Sequence, residues 1–214
     1  MKASTQRLCI DGPAGALELA IDAPDATVAP RGVAVIAHPH PLFGGTLDNK
    51  VVQTLARAFV QCGWSAVRFN FRGVGGSAGV YDQGQGELQD LLAVVEDQAP
   101  TGPLALAGFS FGAFVTSHAI AQLWPQRQLD KVVLVGTAAS RFDVAALAPE
   151  LHERALVVHG EVDDTVPLAD VLQWARPQKL PVTVIPGVEH FFHGQLPLLR
   201  SLVARHLMSA ALPA

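Results

Sequence analysis

Residues 108–112 read Gly108-Phe109-Ser110-Phe111-Gly112, the pattern G-x-S-x-G, and no other stretch limits the fold of this chain as tightly. An apolar run, Pro103 to Ala107, leads into it, and a small apolar stretch, Ala113 to Val115, leads out. The pattern predicts a strand, a sharp turn and a helix. A serine hydroxyl is a poor nucleophile at neutral pH, so a chain that uses one must expose it and set a base beside it. A strand-to-helix elbow exposes it. Glycines on both sides let the chain turn without side chains colliding, and the new helix aims backbone N–H groups at the turn.

Composition agrees with a buried parallel sheet. Half of the 214 residues are hydrophobic and 16% are charged, as expected when central strands are covered on both faces. The net charge of −4 is spread along the chain without basic or acidic blocks, which argues against nucleic acid as a partner. No apolar run reaches the ~18 residues of a membrane span. The first residues, Met1 to Arg7, lead into no signal-peptide core. Cys9 and Cys62 stand in no metal-ligand or C-x-x-C spacing and are expected as small core residues. A cytoplasmic protein forming a single domain over 1–214 is the expectation.

Strand-like segments are expected at 8–10, 16–21, 32–37, 64–71, 104–109, 132–135, 155–158 and 182–185. Helices are expected at 47–61, 87–95, 111–123, after Pro167, and at 196–207, with a short one at 144–147. Eight strands with helical crossovers predict an α/β fold, a mostly parallel sheet with helices on both faces. Such sheets carry their reactive groups at the carboxyl ends of the strands. Two later exits hold suitable residues. Glu161, Asp163 and Asp164 follow the strand at 155–158, and His190 and His193 follow the strand at 182–185. The chain order is therefore serine, acid, histidine, an order known for Ser-His-acid sites on α/β sheets.

Three further segments carry a resemblance. They are His38-Pro39-His40-Pro41-Leu42-Phe43-Gly44-Gly45-Thr46-Leu47-Asp48-Asn49-Lys50-Val51-Val52, then Arg68-Phe69-Asn70-Phe71-Arg72-Gly73-Val74-Gly75-Gly76-Ser77, then Gly84-Gln85-Gly86-Glu87. With the elbow, H-G-x-x-D at 159–163 and G-x-x-H at 187–190, the chain resembles the small lidless serine hydrolases of the α/β-hydrolase superfamily. The resemblance implies a triad of Ser110, Asp163 and His190, with Asp164 and His193 as the second choices for acid and base. It implies an oxyanion hole made by the backbone N–H of Phe111 and of His40, the latter at the third position of the family's H-G-x. Pro39 and Pro41 have no N–H to give, which leaves Leu42 as the other candidate there. A small-molecule acyl substrate follows, an ester or thioester, lying on Phe43, Tyr81, Phe109, Phe111, Phe191 and Phe192. An amidase or peptidase on the same triad, and a non-catalytic binding module, remain as alternatives. In the superfamily a lid commonly enters after the sixth strand. Here Gly136 to Arg154 gives 19 residues, room for a loop and not a cap domain.

Two competing motifs fail on their surroundings. Gly73 to Ala78 matches G-x-G-x-x-A, but the loop continues to Gly84 instead of opening a helix, so a dinucleotide site is not expected. Arg72 is expected to brace that turn through backbone carbonyls. His38-x-His40 has a metal-like spacing, yet a catalytic zinc needs three converging ligands and an open position. His38 is expected as a hydrogen-bonding residue beneath its loop. The chemistry above needs neither metal nor organic cofactor.

Overall fold

The structure, a computed structural model, describes residues 5–209. The extreme amino terminus, read above as lacking a signal core, lies partly outside that range. Eight strands, β1 (Thr5–Gly12), β2 (Gly15–Asp22), β3 (Gly32–Ala37), β4 (Trp64–Phe69), β5 (Leu104–Phe109), β6 (Lys131–Val135), β7 (Ala155–Gly160) and β8 (Val182–Ile185), form one sheet. Their spatial order is β1-β2-β4-β3-β5-β6-β7-β8. The hairpin β1–β2 joins β4 antiparallel, and the pairs from β4 through β3 to β8 are parallel. The helices are α1 (Lys50–Gln61), α2 (Gln85–Gln98), α3 (Phe111–Leu123), α4 (Leu168–Ala175) and α5 (Leu196–Met208). Among the described residues no helix is long and apolar enough to cross a membrane.

Alternation along the central strands makes two cores. Val35, Leu104, Leu106, Val132 and Leu134 face α2, α3 and α4, while Ala34, Ile36, Ala105, Ala107, Val133 and Val135 face α1 and α5. Successive strand residues point to opposite faces, so a strand buried on both sides must be apolar at nearly every position. This is why β3, β5 and β6 read as unbroken apolar runs.

Several boundaries differ from the sequence reading, each for a hydrogen-bonding reason. α1 begins at Lys50 and not at 47, because the Asn49 carboxamide oxygen accepts from the amides of Val51 (2.8 Å) and Val52 (3.4 Å) as an N-cap. β4 stops at Phe69 because the amide of Phe71 donates to the His38 imidazole instead of to a strand (3.0 Å). α2 starts two residues early, where the Glu87 carboxylate accepts from the amides of Asp82 and Gly84, both at 2.8 Å. The helix expected at 144–147 is absent. Ser117 Oγ takes the Ala145 amide (3.0 Å) and the Gln178 carboxamide takes that of Leu147 (2.9 Å), so neither is free for a helical turn. A 3₁₀ turn, Pro149–Arg154, forms instead, and the stretch after β6 contains no cap domain. Cys9 also departs from expectation. It is exposed on the edge strand β1, while Cys62 is buried at the end of α1.

Candidate active site

Ser110 sits between β5 and α3 with φ 57° and ψ −117°. A non-glycine residue in that region is strained by on the order of 1–3 kcal/mol and persists only where its surroundings hold it. Here they do. A Cβ on Gly108 would strike the backbone of Gly112, and one on Gly112 would strike the carbonyl of Ala37. The two glycines of the pattern are therefore required by close backbone approach. Ser110 itself is anchored by its amide, which donates to the Val135 carbonyl at 2.8 Å.

From Ser110 a buried chain of hydrogen bonds runs inward. Ser110 Oγ lies 3.0 Å from His190 Nε2, and His190 Nδ1 lies 2.6 Å from Asp163 Oδ2. A carboxylate only accepts, so the His190 proton sits on Nδ1, leaving Nε2 free to accept from the serine hydroxyl. The other Asp163 oxygen accepts from the amides of Thr165 (3.0 Å) and Val166 (2.7 Å). Asp163 is thus fixed at both oxygens at the end of β7. The neighbouring Asp164 points elsewhere, to the Thr165 hydroxyl at 3.3 Å. His193 is an exposed partner of Glu189 (3.1 Å) and takes no part in this line.

One member of the cluster had no role in the sequence reading. His159 Nε2 donates to the Val166 carbonyl at 2.9 Å and stands 3.4 Å from Asp163 Oδ2. Burial pushes its pKa down, and its buried Nδ1 has no partner among the described residues. The signal was available: His159 opens the H-G-x-x-D segment, four residues before Asp163.

The loop after β3 faces Ser110. Among the described residues neither the Phe111 amide nor the His40 amide has an acceptor within the protein. The Leu42 amide is used, donating to His40 Nδ1 at 3.2 Å. His40 Nε2 then carries the ring proton and gives it to the Tyr81 hydroxyl oxygen, at 3.2 Å. Burial first, and the positive charge of Arg141 second, lower the His40 pKa. Beneath this loop His38 is fully buried. Its Nδ1 donates to the Pro39 carbonyl (2.6 Å) and its Nε2 accepts from Phe71, while burial holds its pKa at about 4. With both ring nitrogens engaged, His38 has none left for a metal.

A pocket of about 390 Å³ opens over Ser110. Phe43, Phe111 and Phe191 line it, together with Asn49, Ala138, Arg141 and Phe142. Tyr81 and Phe109 stand one layer behind the wall. Tyr81 supports His40, and the Phe109 ring packs 4.9 Å from that of His190, where it backs the imidazole. Phe192 is fully buried in the α1/α5 core. A larger cleft of about 600 Å³, by Thr5, Arg57 and Arg200, shares no residue with the pocket and contains no such line of groups.

The turn at 73–78 is structural, and the brace differs from the one expected. Arg72 does not hold carbonyls. Its Nε and Nη2 grip the fully buried Asp90 of α2 in a two-pronged pair, at 3.0 and 2.7 Å. Such forked geometry is the strong form of an arginine–carboxylate contact. Asn70 ties the same turn to the loop before α1, accepting from Leu47 (2.8 Å) and donating to Glu18 (2.8 Å).

An elbow serine, a late histidine and an uncapped α/β sheet define a lidless α/β serine hydrolase. A family model described as serine aminopeptidase S33 matches residues 29–156, and the chain belongs to that α/β-hydrolase family. Similar solved structures agree. An α/β serine hydrolase without a lid from Xanthomonas campestris is 38% identical, covering 100% of this chain and 99% of that one, with a TM-score of 0.86. An α/β serine hydrolase homologue from Coxiella burnetii is 38% identical over 97% of this chain and 99% of its own, with a TM-score of 0.83. An uncharacterized protein of Rickettsia prowazekii is 29% identical over 87% of this chain and 82% of its own length. The family match ends before Asp163 and His190, which the geometry brings into line with Ser110.

Proposed function

We propose that the chain hydrolyses carboxylic esters, and thioesters, of small to medium acyl groups through Ser110, His190 and Asp163. The single observation that carries this reading is the unbroken Ser110–His190–Asp163 line, with distances of 3.0 and 2.6 Å. His190 Nε2 takes the Ser110 proton as Oγ attacks the acyl carbonyl. The amides of Phe111 and His40 receive the oxygen as it becomes negative, where losing one such donor costs about 3 kcal/mol of transition-state stabilisation. His190 then protonates the leaving group. Water, deprotonated by the same nitrogen, releases the acyl group from Ser110. Asp163 keeps the imidazole in the required tautomer and stabilises the imidazolium.

The family model's description raises a second reading, an aminopeptidase. That activity needs an acceptor, normally a carboxylate, for the substrate's ammonium group. The pocket wall holds no carboxylate and does hold Arg141, which favours the ester reading. A cytoplasmic location fits the two unpaired cysteines, one of them exposed.

A fluorophosphonate probe with mass mapping, run beside acyl esters of increasing length and an aminoacyl anilide, tests this. Labelling at Ser110 with ester turnover is expected. Turnover of the anilide alone would favour the peptidase, and an unlabelled folded protein would exclude both.

A further inference from the structure

The polar side chains on the pocket wall are biased towards donors. Arg141 is its one formally charged side chain, and no Asp or Glu lines it. Among the described residues no carboxylate stands within ion-pair distance of Arg141. Other arginines of this chain are held. Arg68 and Arg72 grip carboxylates, while Arg31 and Arg127 donate to carbonyls. Asn49 adds a second donor on the α1 side. Its oxygen is spent on the helix cap, so its NH₂ is the end left over. Asp163 does not offset this, because its carboxylate is buried behind His190 and accepts from two amides and the imidazole. His40 shares the pocket wall with Arg141, whose charge, after burial, lowers the His40 pKa. Phe111, Ala138, Phe142 and Val166 give the wall its apolar part, with Phe43 and Phe191 exposed at the mouth.

We infer that the preferred substrate is an ester whose apolar body ends in an anionic oxygen group, a carboxylate or a phosphate, bound by the Arg141 guanidinium. This rests on the ester-hydrolase reading and adds the substrate's charge. A guanidinium at a pocket rim attracts any anion, and its forked donors match both carboxylate and phosphate. Because the charge sits away from the reacting carbonyl, it binds substrate and transition state alike. Its effect therefore belongs in KM. Salt weakens it, as for any exposed charge.

The test compares matched esters. On the acyl side, the 4-nitrophenyl monoesters of succinic, glutaric and adipic acids are set against 4-nitrophenyl butyrate and against the methyl-capped neutral diesters. On the alcohol side, butyryl-glycerol phosphate is set against monobutyrin, followed by proton release. The readout is the ratio of kcat/KM, anionic over neutral, which cancels any loss of folded protein. The wild type should favour one anionic series by about two- to fivefold, the size of a solvent-screened charge pair. Arg141→Gln should bring that ratio to about one, Arg141→Glu should invert it, and 0.5 M salt should reduce it. Preference in the first series identifies a carboxylate on the acyl group, and in the second a phosphate on the alcohol. A wild-type ratio of one or less in both series, or a ratio unmoved by Arg141→Gln, overturns the inference while neutral-ester turnover leaves the hydrolase reading standing. No turnover of any ester, with Ser110 unlabelled, removes both.

Discussion

Asp163 is buried and held at both oxygens, and His190 has a partner at each ring nitrogen, whereas Phe43 at the pocket mouth is 74% exposed and Arg141 has no carboxylate partner among the described residues. The first region is fixed because each of its polar groups is buried, and an unpaired buried group costs about 1–3 kcal/mol. The second is free to vary because water satisfies whatever stands there. On the proposed reading, chemistry is placed where the fold permits one arrangement, and choice of substrate where it permits many. His159 belongs to the first region, packed against Asp163, but its unpartnered Nδ1 shows that even there one atom is left over.

Variants separate the two regions. Ser110→Ala should lower kcat for a neutral ester by about 10⁴-fold or more and abolish fluorophosphonate labelling, with an unchanged urea midpoint. An effect below a hundredfold would place the nucleophile elsewhere. Asp163→Asn should cost about 10⁴-fold in kcat, because the carboxamide favours the wrong imidazole tautomer, while Asp164→Asn should stay within about threefold. The reverse ranking would move the acid by one residue.

A third check concerns the support under the loop after β3. The folded-state pKa of His38 is about 4, against 6.5 for an unperturbed histidine. Between those values the unfolded chain binds the proton first. The contribution of His38 is therefore complete above pH 6.5 and lost as pH falls towards 4, up to about 3 kcal/mol at roughly 1.4 kcal/mol per unit. An NMR titration of the His38 ring should show no protonation above pH 5, and urea midpoints should fall between pH 6.5 and 5. A ring that titrates near 6.5 would mean the loop is not closed over it. The smallest effect is expected at the mouth. Phe43→Ala should raise KM for a medium-chain ester by about two- to fivefold with little change in kcat, since it removes contact area made equally in ground and transition states. A fall in kcat instead would show that the mouth helps to shape the proposed oxyanion site.

How much of this was readable before folding follows the same division. The elbow was legible because a strained serine between two glycines has one structural use, and the serine–acid–histidine order was legible from the strand exits. The pocket wall was not. Phe109 and Phe191 are both aromatics near the site, and only packing sends one behind His190 and the other to the rim. Arg141 lies in a segment whose expected helix is replaced by side-chain bonds from Ser117 and Gln178, partners distant in sequence. Arg72 likewise found Asp90 rather than nearby carbonyls, because α2 brings a buried carboxylate to it.

The sequence by itself determined the sheet's buried strands and the spacing of glycine around Ser110. Those depend on local sterics and on periodic burial, which a single stretch of chain encodes. Only the tertiary structure decided that Asp163 and not Asp164 meets His190, that Leu42 has no amide to spare, and that Arg141 lines the pocket. Each of these turns on which way a side chain or an amide points within a loop, and loops take their conformation from what the rest of the molecule packs against them.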